Sequence, residues 1–209
     1  MAPTLSSLTL SQLINAFADS DPTPGGGTAS AVAGAMGAAL LIMVTGLARS
    51  KTNVDAETTA LAAARNALVP APDRFLALAD ADTDAFNAVM AAYRLPKSGV
   101  EEKSVRSSAI QHALRGATEV PLDTLRACAA AMAQAVAVAD CGHRSAASDV
   151  GVALGLIDAA AAGAAANVRI NLEGLKDEAF KATAAGETER LLARVAESRT
   201  AAAGQLAAR

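Results

Sequence analysis

The chain has 209 residues, of which 52% are apolar and only 2% aromatic, with no tryptophan. Alanine, the strongest helix former, supplies much of the apolar content and prolines number only 7, so the composition favours an all-α fold with its own hydrophobic core. A net charge of −3, without a basic stripe or stacking aromatics, excludes a nucleic-acid-binding protein.

The first predicted helix begins after Thr9, because Thr9 and Gln12 have the spacing of a capping box. It would end at about Asp19, where a turn rich in proline and glycine follows and lasts to Gly27. One face of this helix is predicted to be apolar. That face carries Leu10, Leu13, Ile14 and Phe17.

Helical periodicity continues through the rest of the chain, with interruptions at prolines and glycines. The next helix would be capped by Thr28 or Ser30. Pro121 cannot donate an internal hydrogen bond, so we expect it at a helix start or at a kink. The predicted helices cover residues 28–50, 56–69, 73–94, 101–118, 122–140, 145–172 and 176–209, with a polar linker at 51–55 and a break at 141–143.

The domain organisation and the compartment follow from what the sequence does not contain. No linker is long enough to separate independent domains, so a single domain is predicted for residues 1–209. Cys128 and Cys141 match neither a metal-ligand pattern nor a disulfide framework, which favours a reduced, cytoplasmic protein without a metal site. The first eleven residues lack a basic region followed by an apolar stretch, so no signal peptide is predicted.

Between Asp21 and Arg49 the chain carries no charge, and this stretch opens with the sequence PTPGGGT at residues 22–28. A phosphate loop is disfavoured because no lysine follows the last glycine and the preceding segment is helical. A membrane span is disfavoured because alanine and glycine dominate and the flanks have no aromatic belt. The stretch therefore predicts a buried helix, and we expect no membrane partner.

This predicted helix is apolar on every side, which a small chain achieves most easily at an oligomer interface. The glycines before it leave backbone N–H groups uncovered at a helix N-terminus, which suits an electron-rich ligand group. Its small face would allow another backbone to approach closely. The bulky face carries Val32, Met36, Leu40, Met43 and Leu47, and the small face carries Ser30, Ala31, Gly34, Ala35, Gly37 and Ala38.

Asp82 lies on a different helical face from Asp80 and Asp84, which we expect to be solvated. A carboxylate among apolar side chains is unfavourable unless it is paired or neutralised, and burial raises its pKa. Such groups cluster at functional sites, although Asp82 could instead be a rim residue satisfied by a backbone group or an arginine. The face of Asp82 carries Phe75, Leu78, Ala79, Phe86 and Val89.

Several short segments, spread in order over about residues 5–200, together carry a resemblance to a known family. They are the glycine-rich run 24–28 with the small-residue run 33–39, and the segments 80–86, 94–97, 120–122, 141–142, 148–150, 167–172 and 177–180. The ordered set resembles the cyclodeaminase/cyclohydrolase family. This is the C-terminal domain family of formimidoyltransferase-cyclodeaminase, and its free-standing bacterial members include methenyltetrahydrofolate cyclohydrolases.

The resemblance implies an all-α, multihelical antiparallel bundle that forms an intertwined homodimer and binds tetrahydrofolate derivatives. In the family, an aspartate of the segment Asp-Ala-Asp-x-x-Ala-Phe is assigned to catalysis, and the matching residue here is Asp82. Helical geometry independently sets the same residue apart. Substrate contacts are expected from Phe86 of this segment and from the glycine-rich wall, namely Gly25, Gly26, Gly27 and Thr28.

Four further residues are candidates for binding the folate. Asn167 and Asn171 are four residues apart on one helix face, so both could reach one ligand. Asp149 could bind the ligand or could favour the helix dipole as a first-turn acid. Lys97 could pair with the folate glutamate carboxylate or be a solvated loop lysine. His143 departs from the family, which often has asparagine there, and we interpret it as a helix N-terminal polar residue rather than an acid–base group.

The resemblance implies hydrolysis of 5,10-methenyltetrahydrofolate to 10-formyltetrahydrofolate. Water adds to the cationic carbon between N5 and N10, and the bond to N5 then breaks, which requires a proton acceptor but neither a metal nor a redox cofactor. Asp82 is predicted to be the base or proton shuttle. Two alternatives remain at this point: a formimidoyltetrahydrofolate cyclodeaminase that releases ammonia, and a non-catalytic helical dimer that binds folate or a partner protein.

Overall fold

The computed structural model describes residues 4–47 and 55–208, and every regular element in these two ranges is helical. Two short 3-10 turns, Leu5–Ser7 and Arg144–Ala146, precede the first and the sixth α-helix. The α-helices are α1 (Leu10–Ala18), α2 (Gly26–Thr45), α3 (Asp55–Leu68), α4 (Ala71–Arg94), α5 (Val100–Cys141), α6 (Ala147–Glu173) and α7 (Glu178–Ala207).

Helix α2 is the centre of the bundle and packs against α3, α4, α5 and α6. It runs antiparallel to α6, because Gly26 faces Asn167 while Gly37 faces Ile157. The long helix α5 also contacts α3, α4, α6 and α7, so it forms the second axis of the core. The predicted all-α antiparallel bundle is confirmed for the described residues.

The small face predicted for α2 is buried, as expected, and it lets neighbouring helices approach closely. A Cβ atom at Gly34 would lie 2.6 Å from the ring of Phe75, and one at Gly37 would lie 2.6 Å from Ile157. On α6, a Cβ at Gly163 would collide with the hydroxyl of Ser30. These glycines therefore set the spacing of α2 from α4 and α6.

Part of the bulky face of α2 points away from the core of this chain, whereas Leu40 of the same face packs against the core. Met36, Met43 and Leu47 are 54%, 42% and 38% exposed. On α1, Leu10 and Ile14 of the predicted apolar face are 73% and 57% exposed. Burial of α2 on all sides is therefore not achieved within a single chain.

Three segments are long and apolar enough to cross a membrane, judged by length and composition alone: Gly26–Thr45, Val100–Cys141 and Arg144–Glu173. In the folded chain, 56%, 61% and 44% of the residues in their most apolar stretches are buried. Much of their apolar character is thus used for packing between helices. For α2, the sequence-based preference for a buried helix over a membrane span remains a prediction.

The capping box at Thr9 and Gln12 is present, and α1 begins where it was predicted. The predicted cap of α2 is wrong, because Gly25 is the N-cap and no side chain caps the helix. Thr28 instead donates to a side chain of α4, and the Ser30 hydroxyl donates to the carbonyl of Gly26. The predicted end of this helix near residue 50 and most of the linker at 51–55 lie outside the described residues.

The prolines act differently from one another. Pro72 lies in the first turn of α4, where a backbone N–H would have no partner within the helix, so proline loses no hydrogen bond there. Helix α4 therefore begins before the predicted Asp73. Pro121 lies inside α5, and the predicted helix start there is wrong, since residues 100–141 form one continuous helix. At the other end of the fold Asp177 caps α7, close to its predicted start.

Candidate active site

Asp82 lies on α4 against the N-terminus of α2. The hydroxyl of Thr28, which is fully buried, donates a hydrogen bond of 2.9 Å to Oδ2 of Asp82. Gly27 makes this approach possible, because a Cβ atom there would lie 2.7 Å from both Cγ and Oδ2 of the carboxylate and would collide with Oδ1. The glycine-rich turn is therefore shaped around this carboxylate.

Burial raises the pKa of Asp82 above its ordinary value of 3.8. Hydrogen bonds from the side chain and the backbone of Thr28 act in the opposite direction, since they favour the charged form. The N-terminus of α2 adds positive potential at the same place. The result is a half-buried carboxylate with a stronger affinity for a proton than an exposed aspartate has.

Asp82 opens onto a cleft of about 270 Å³ between α2, α4, α5 and α6. The structure brings most of the predicted site residues together at this cleft, while Thr28 lies behind it and holds Asp82. Polar groups converge there beside apolar side chains, an arrangement that can orient a small molecule. The cleft is lined by Pro22, Thr23, Gly25, Gly26, Gly27, Asp82, Ala85, Phe86, Val89, Ala117, Asn167 and Asn171.

The two asparagines of α6 are both half-buried, but their amides are held in different ways. Asn167 Nδ2 donates to the carbonyl of Gly163 on its own helix at 2.9 Å. Asn171 Nδ2 donates across the cleft to the carbonyl of Ala117 on α5 at 2.6 Å. Each amide therefore uses one donor on the protein, and each keeps its oxygen for other contacts.

An apolar groove of about 470 Å³ continues from the cleft between α4 and α5. Ala85 and Ala117 line both spaces, so the groove and the cleft are contiguous. The groove is floored by alanines and extends along α4 as far as Leu95, with His112 of α5 on its wall. Together the two spaces form an elongated site with its polar groups at one end.

Lys97 and Asp149 do not line the cleft. Lys97 is exposed in the loop after α4, two residues beyond the end of the groove at Leu95. Asp149 lies in the first turn of α6, and eighteen residues separate it from Asn167, or roughly 27 Å along a helix. Since α6 is antiparallel to α2, Asp149 lies at the opposite end of α2 from the glycine-rich turn. Within one chain Asp149 is therefore remote from this cleft, and its role in ligand binding stays a prediction.

Asp80 is not simply solvated, contrary to the prediction for this residue. Its carboxylate accepts hydrogen bonds from the backbone of Leu5 at 2.7 Å and from the hydroxyl of Ser6 at 2.7 Å, so it fastens the N-terminal turn to α4. Asp84 is exposed, as expected. His143 caps the turn before α6 by accepting from the backbone N–H of Ser145, which confirms its interpretation as a helix N-terminal residue.

Sequence reasoning missed several residues that line the cleft. Val89 shared the predicted face of Asp82, and Pro22 and Thr23 belong to the uncharged turn, so a signal for each was present in the sequence. Ala117 had no such signal, because only the packing of α5 brings it to the cleft. In the described part of the chain, no group of three or more His, Cys, Asp or Glu side chains could hold a metal ion.

A family model described as formiminotransferase-cyclodeaminase matches residues 9–190 of this chain. The chain belongs to this family. The resemblance seen in the ordered segments of the sequence is thereby confirmed.

Relatives with assigned names include a methenyltetrahydrofolate cyclohydrolase of Methylorubrum extorquens, which is 41% identical over 188 residues covering 88% of this chain and 89% of the relative. A formimidoyltransferase-cyclodeaminase of Gallus gallus is 34% identical over 88% of this chain, but the match covers only 34% of that longer protein. A crystal structure of a formiminotetrahydrofolate cyclodeaminase from Thermotoga maritima superimposes with a TM-score of 0.86 at 29% identity and covers 98% of both chains.

Proposed function

We propose that this protein is an enzyme, a 5,10-methenyltetrahydrofolate cyclohydrolase of one-carbon metabolism, and that Asp82 is its catalytic residue. The observation that carries the proposal is the half-buried carboxylate of Asp82, held by Thr28 at a cleft that continues into an apolar groove. The named relative of comparable length supports the choice of reaction, since the match covers 89% of that cyclohydrolase.

The proposed reaction begins with water between Asp82 and the methenyl carbon. Asp82 takes a proton from the water as the oxygen forms its bond to the cationic carbon. The bond from this carbon to N5 then breaks, its electron pair stays on N5, and the proton held by Asp82 passes to N5. The remaining hydroxyl loses its proton to solvent and becomes the formyl oxygen. Neither a metal nor a redox cofactor enters these steps.

The charge and the pKa of Asp82 suit both halves of this reaction. Its negative charge favours the cationic substrate over the neutral product. Its raised pKa makes it a better proton acceptor than an exposed aspartate while still allowing it to return the proton. The low polarity of the neighbouring Phe86, Val89 and Ala85 strengthens both effects.

We further propose that the groove between α4 and α5 takes the aminobenzoyl and glutamate part of the folate. The groove is continuous with the cleft at Ala85 and Ala117, and its apolar floor suits an aromatic ring. Thirteen residues of α4 separate Asp82 from Leu95 at its far end, or roughly 20 Å. Lys97 follows Leu95 closely, so its ammonium group could meet the glutamate carboxylate there.

We also propose that the protein is a cytoplasmic homodimer, with the outward faces of α2 and α1 at the interface. The support is the exposed apolar set formed by Met36, Met43, Leu47, Leu10 and Ile14, all on these two neighbouring parts of the chain. Apolar surfaces of this kind on a soluble protein mark interfaces. A second copy would complete the burial of α2 that one chain leaves unfinished.

Replacing Asp82 with asparagine tests the proposed role directly. The Asp82→Asn variant should fold and bind folate but should lose about 10²- to 10⁴-fold in kcat, the range typical of general acid–base catalysis. Turnover is measured as the loss of absorbance of 5,10-methenyltetrahydrofolate. Asp84→Asn, on an exposed site of the same helix, is the matched control and should retain wild-type activity. Unchanged turnover in Asp82→Asn would remove the hypothesis.

Cyclodeaminase activity is the second candidate, and it is favoured by the name and the close superposition of the Thermotoga maritima structure. The same carboxylate could pass a proton to the departing ammonia. Incubation with 5-formimidoyltetrahydrofolate, followed by measurement of ammonia, separates the two reactions. Activity on the methenyl substrate alone supports the hydrolase, and activity on neither substrate points to a non-catalytic folate- or partner-binding dimer.

A further inference from the structure

Pro121 lies in the interior of α5 and interrupts its hydrogen-bond ladder. Proline has no backbone N–H, so the carbonyl four residues earlier receives no helical hydrogen bond from it. That carbonyl belongs to Ala117, which lines the proposed active-site cleft. A buried carbonyl without a donor is unfavourable, and in native proteins nearly all such groups find a partner.

The missing donor comes from α6. Asn171 Nδ2 donates to the carbonyl of Ala117 at 2.6 Å, although 54 residues separate the two in sequence. Asn171 therefore takes the place of the backbone N–H that Pro121 lacks. Asn167, one turn earlier on the same helix, donates instead to the carbonyl of Gly163 on its own helix.

We infer that Pro121 makes Asn171 a specificity-determining residue by fixing which end of its amide faces the cleft. A carbonyl accepts only from the nitrogen end, since the opposite orientation would place two oxygens against each other. Within residues 4–47 and 55–208, the oxygen of Asn171 accepts no protein hydrogen bond. It is thus available as an acceptor for an N–H donor of the ligand.

The ligand group that fits depends on the proposed function. A tetrahydropterin carries N–H donors on its amino-lactam edge, at the end of the ring system away from the reacting carbon. Asn167 lies beside Gly26 near the Asp82 end of the cleft, and Asn171 lies one turn farther along α6. The proposal therefore places the reacting carbon at Asp82 and the amino-lactam edge at Asn171.

The structural half of the inference is tested without any ligand, by a double-mutant cycle of thermal unfolding. Asn171→Leu should lower the Tm of the chain with Pro121 by about 2–4 °C, because the Ala117 carbonyl loses its partner. In Pro121→Ala chains the new N–H supplies that partner, so the same change should lower the Tm by less than half as much. Equal shifts in both backgrounds would overturn the inference.

Asn167→Leu is the matched control for this cycle, because Asn167 bonds within its own helix. The Tm shift caused by Asn167→Leu should be the same in the chain with Pro121 and in the Pro121→Ala chain. As a second readout in the intact fold, the side-chain amide hydrogens of Asn171 should exchange slowly with D2O in the wild type and faster in Pro121→Ala. Exchange of equal rate in both chains would also contradict the proposal.

The recognition half uses two probes, 5-formyltetrahydrofolate and its analogue with methyl in place of the 2-amino group. The wild type should bind the parent compound roughly 10-fold more tightly, as one hydrogen bond predicts, and Asn171→Leu should bind the two equally. Retention of the wild-type preference in Asn171→Leu, or failure of the wild type to bind either probe, would overturn this half. The two failures can be told apart. If the Tm shifts of the double-mutant cycle are coupled but the protein hydrolyses no folate, Pro121 still fixes the Asn171 amide and only the proposed function is refuted.

Discussion

Gly27→Ala should damage the site while leaving every polar group of the cleft in the sequence. The new Cβ would lie 2.7 Å from Cγ and Oδ2 of Asp82 and closer still to Oδ1. Carbon atoms in contact are about 3.5 Å apart or more. The carboxylate must therefore move by roughly 0.8 Å, the difference between these two distances, and it would leave the hydrogen bond from Thr28.

A displacement of this size has a predictable kinetic effect. Misplacing a catalytic group by about 1 Å can reduce the rate 10²-fold, so we expect kcat/KM to fall about 10- to 100-fold. That loss corresponds to about 1.4–2.7 kcal/mol of transition-state stabilisation. The free energy of unfolding should change less, because crowding costs about 1–3 kcal/mol while replacing a helical glycine with alanine returns about 0.5–1 kcal/mol.

The assay is steady-state hydrolysis of 5,10-methenyltetrahydrofolate, with thermal unfolding of the same samples. Gly26→Ala tests the neighbouring position, where the nearest atom to a new Cβ is Asn167 Nδ2 at 3.9 Å, and it should have a much smaller effect on kcat/KM. Gly204→Ala, with nothing within 4 Å, is the distant control and should gain about 0.5–1 kcal/mol of stability with unchanged activity. Wild-type kcat/KM in Gly27→Ala would refute the idea that this glycine makes room for Asp82, the proposed catalytic residue.

Thr28→Val removes a hydroxyl that lowers the pKa of Asp82, so the pKa of Asp82 should rise further. The acid limb of the plot of kcat against pH should then move to higher pH, and a limb that stays in place or moves to lower pH would contradict this. Because the folded-state pKa of Asp82 lies above the ordinary 3.8, the wild type loses stability relative to Asp82→Asn as pH rises through the window above 3.8. The Tm difference between the two proteins, scanned from pH 3.5 to 8, should therefore grow in favour of the variant, and a constant difference would argue against burial of the charge. Met36→Glu should shift the protein from dimer to monomer, as measured by light scattering. The control Val100→Glu changes an exposed residue at the start of α5 and should leave the dimer intact. A wild type that is already monomeric would refute the proposed interface.

Local pattern was enough to predict the position of Asp82. The stripe of apolar residues on its face repeats every three or four residues, so the one carboxylate within it stands out without any knowledge of the fold. The small face of α2 was equally visible, because glycine and alanine recur there at helical spacing. Both features depend on contacts that a helix presents to its neighbours in a regular way.

The errors share a different physical origin. Pro121 lies inside a continuous helix, and the carbonyl that it leaves free, that of Ala117, is satisfied by an asparagine 54 residues from Ala117 in sequence. Asp80 is held by a turn that lies 74 to 75 residues away in sequence. The distance of Asp149 from the cleft follows from the antiparallel packing of α6 on α2, which the sequence does not state. Contacts between distant segments thus decided each case, and no local preference reports them.

The abundance of alanine has a consequence for ligand binding. The groove between α4 and α5 is lined mainly by alanines of these two helices, namely Ala85, Ala88, Ala91, Ala92, Ala109, Ala113 and Ala117. Alanine has no side-chain rotamers, so ordering it on folding loses no side-chain entropy. Alanine side chains in such a wall have a single conformation, so ligand binding restricts no rotamers there. The binding free energy is then reduced little by the ordering of this wall. The residues that make this sequence look featureless therefore give the groove a shape that is set before binding.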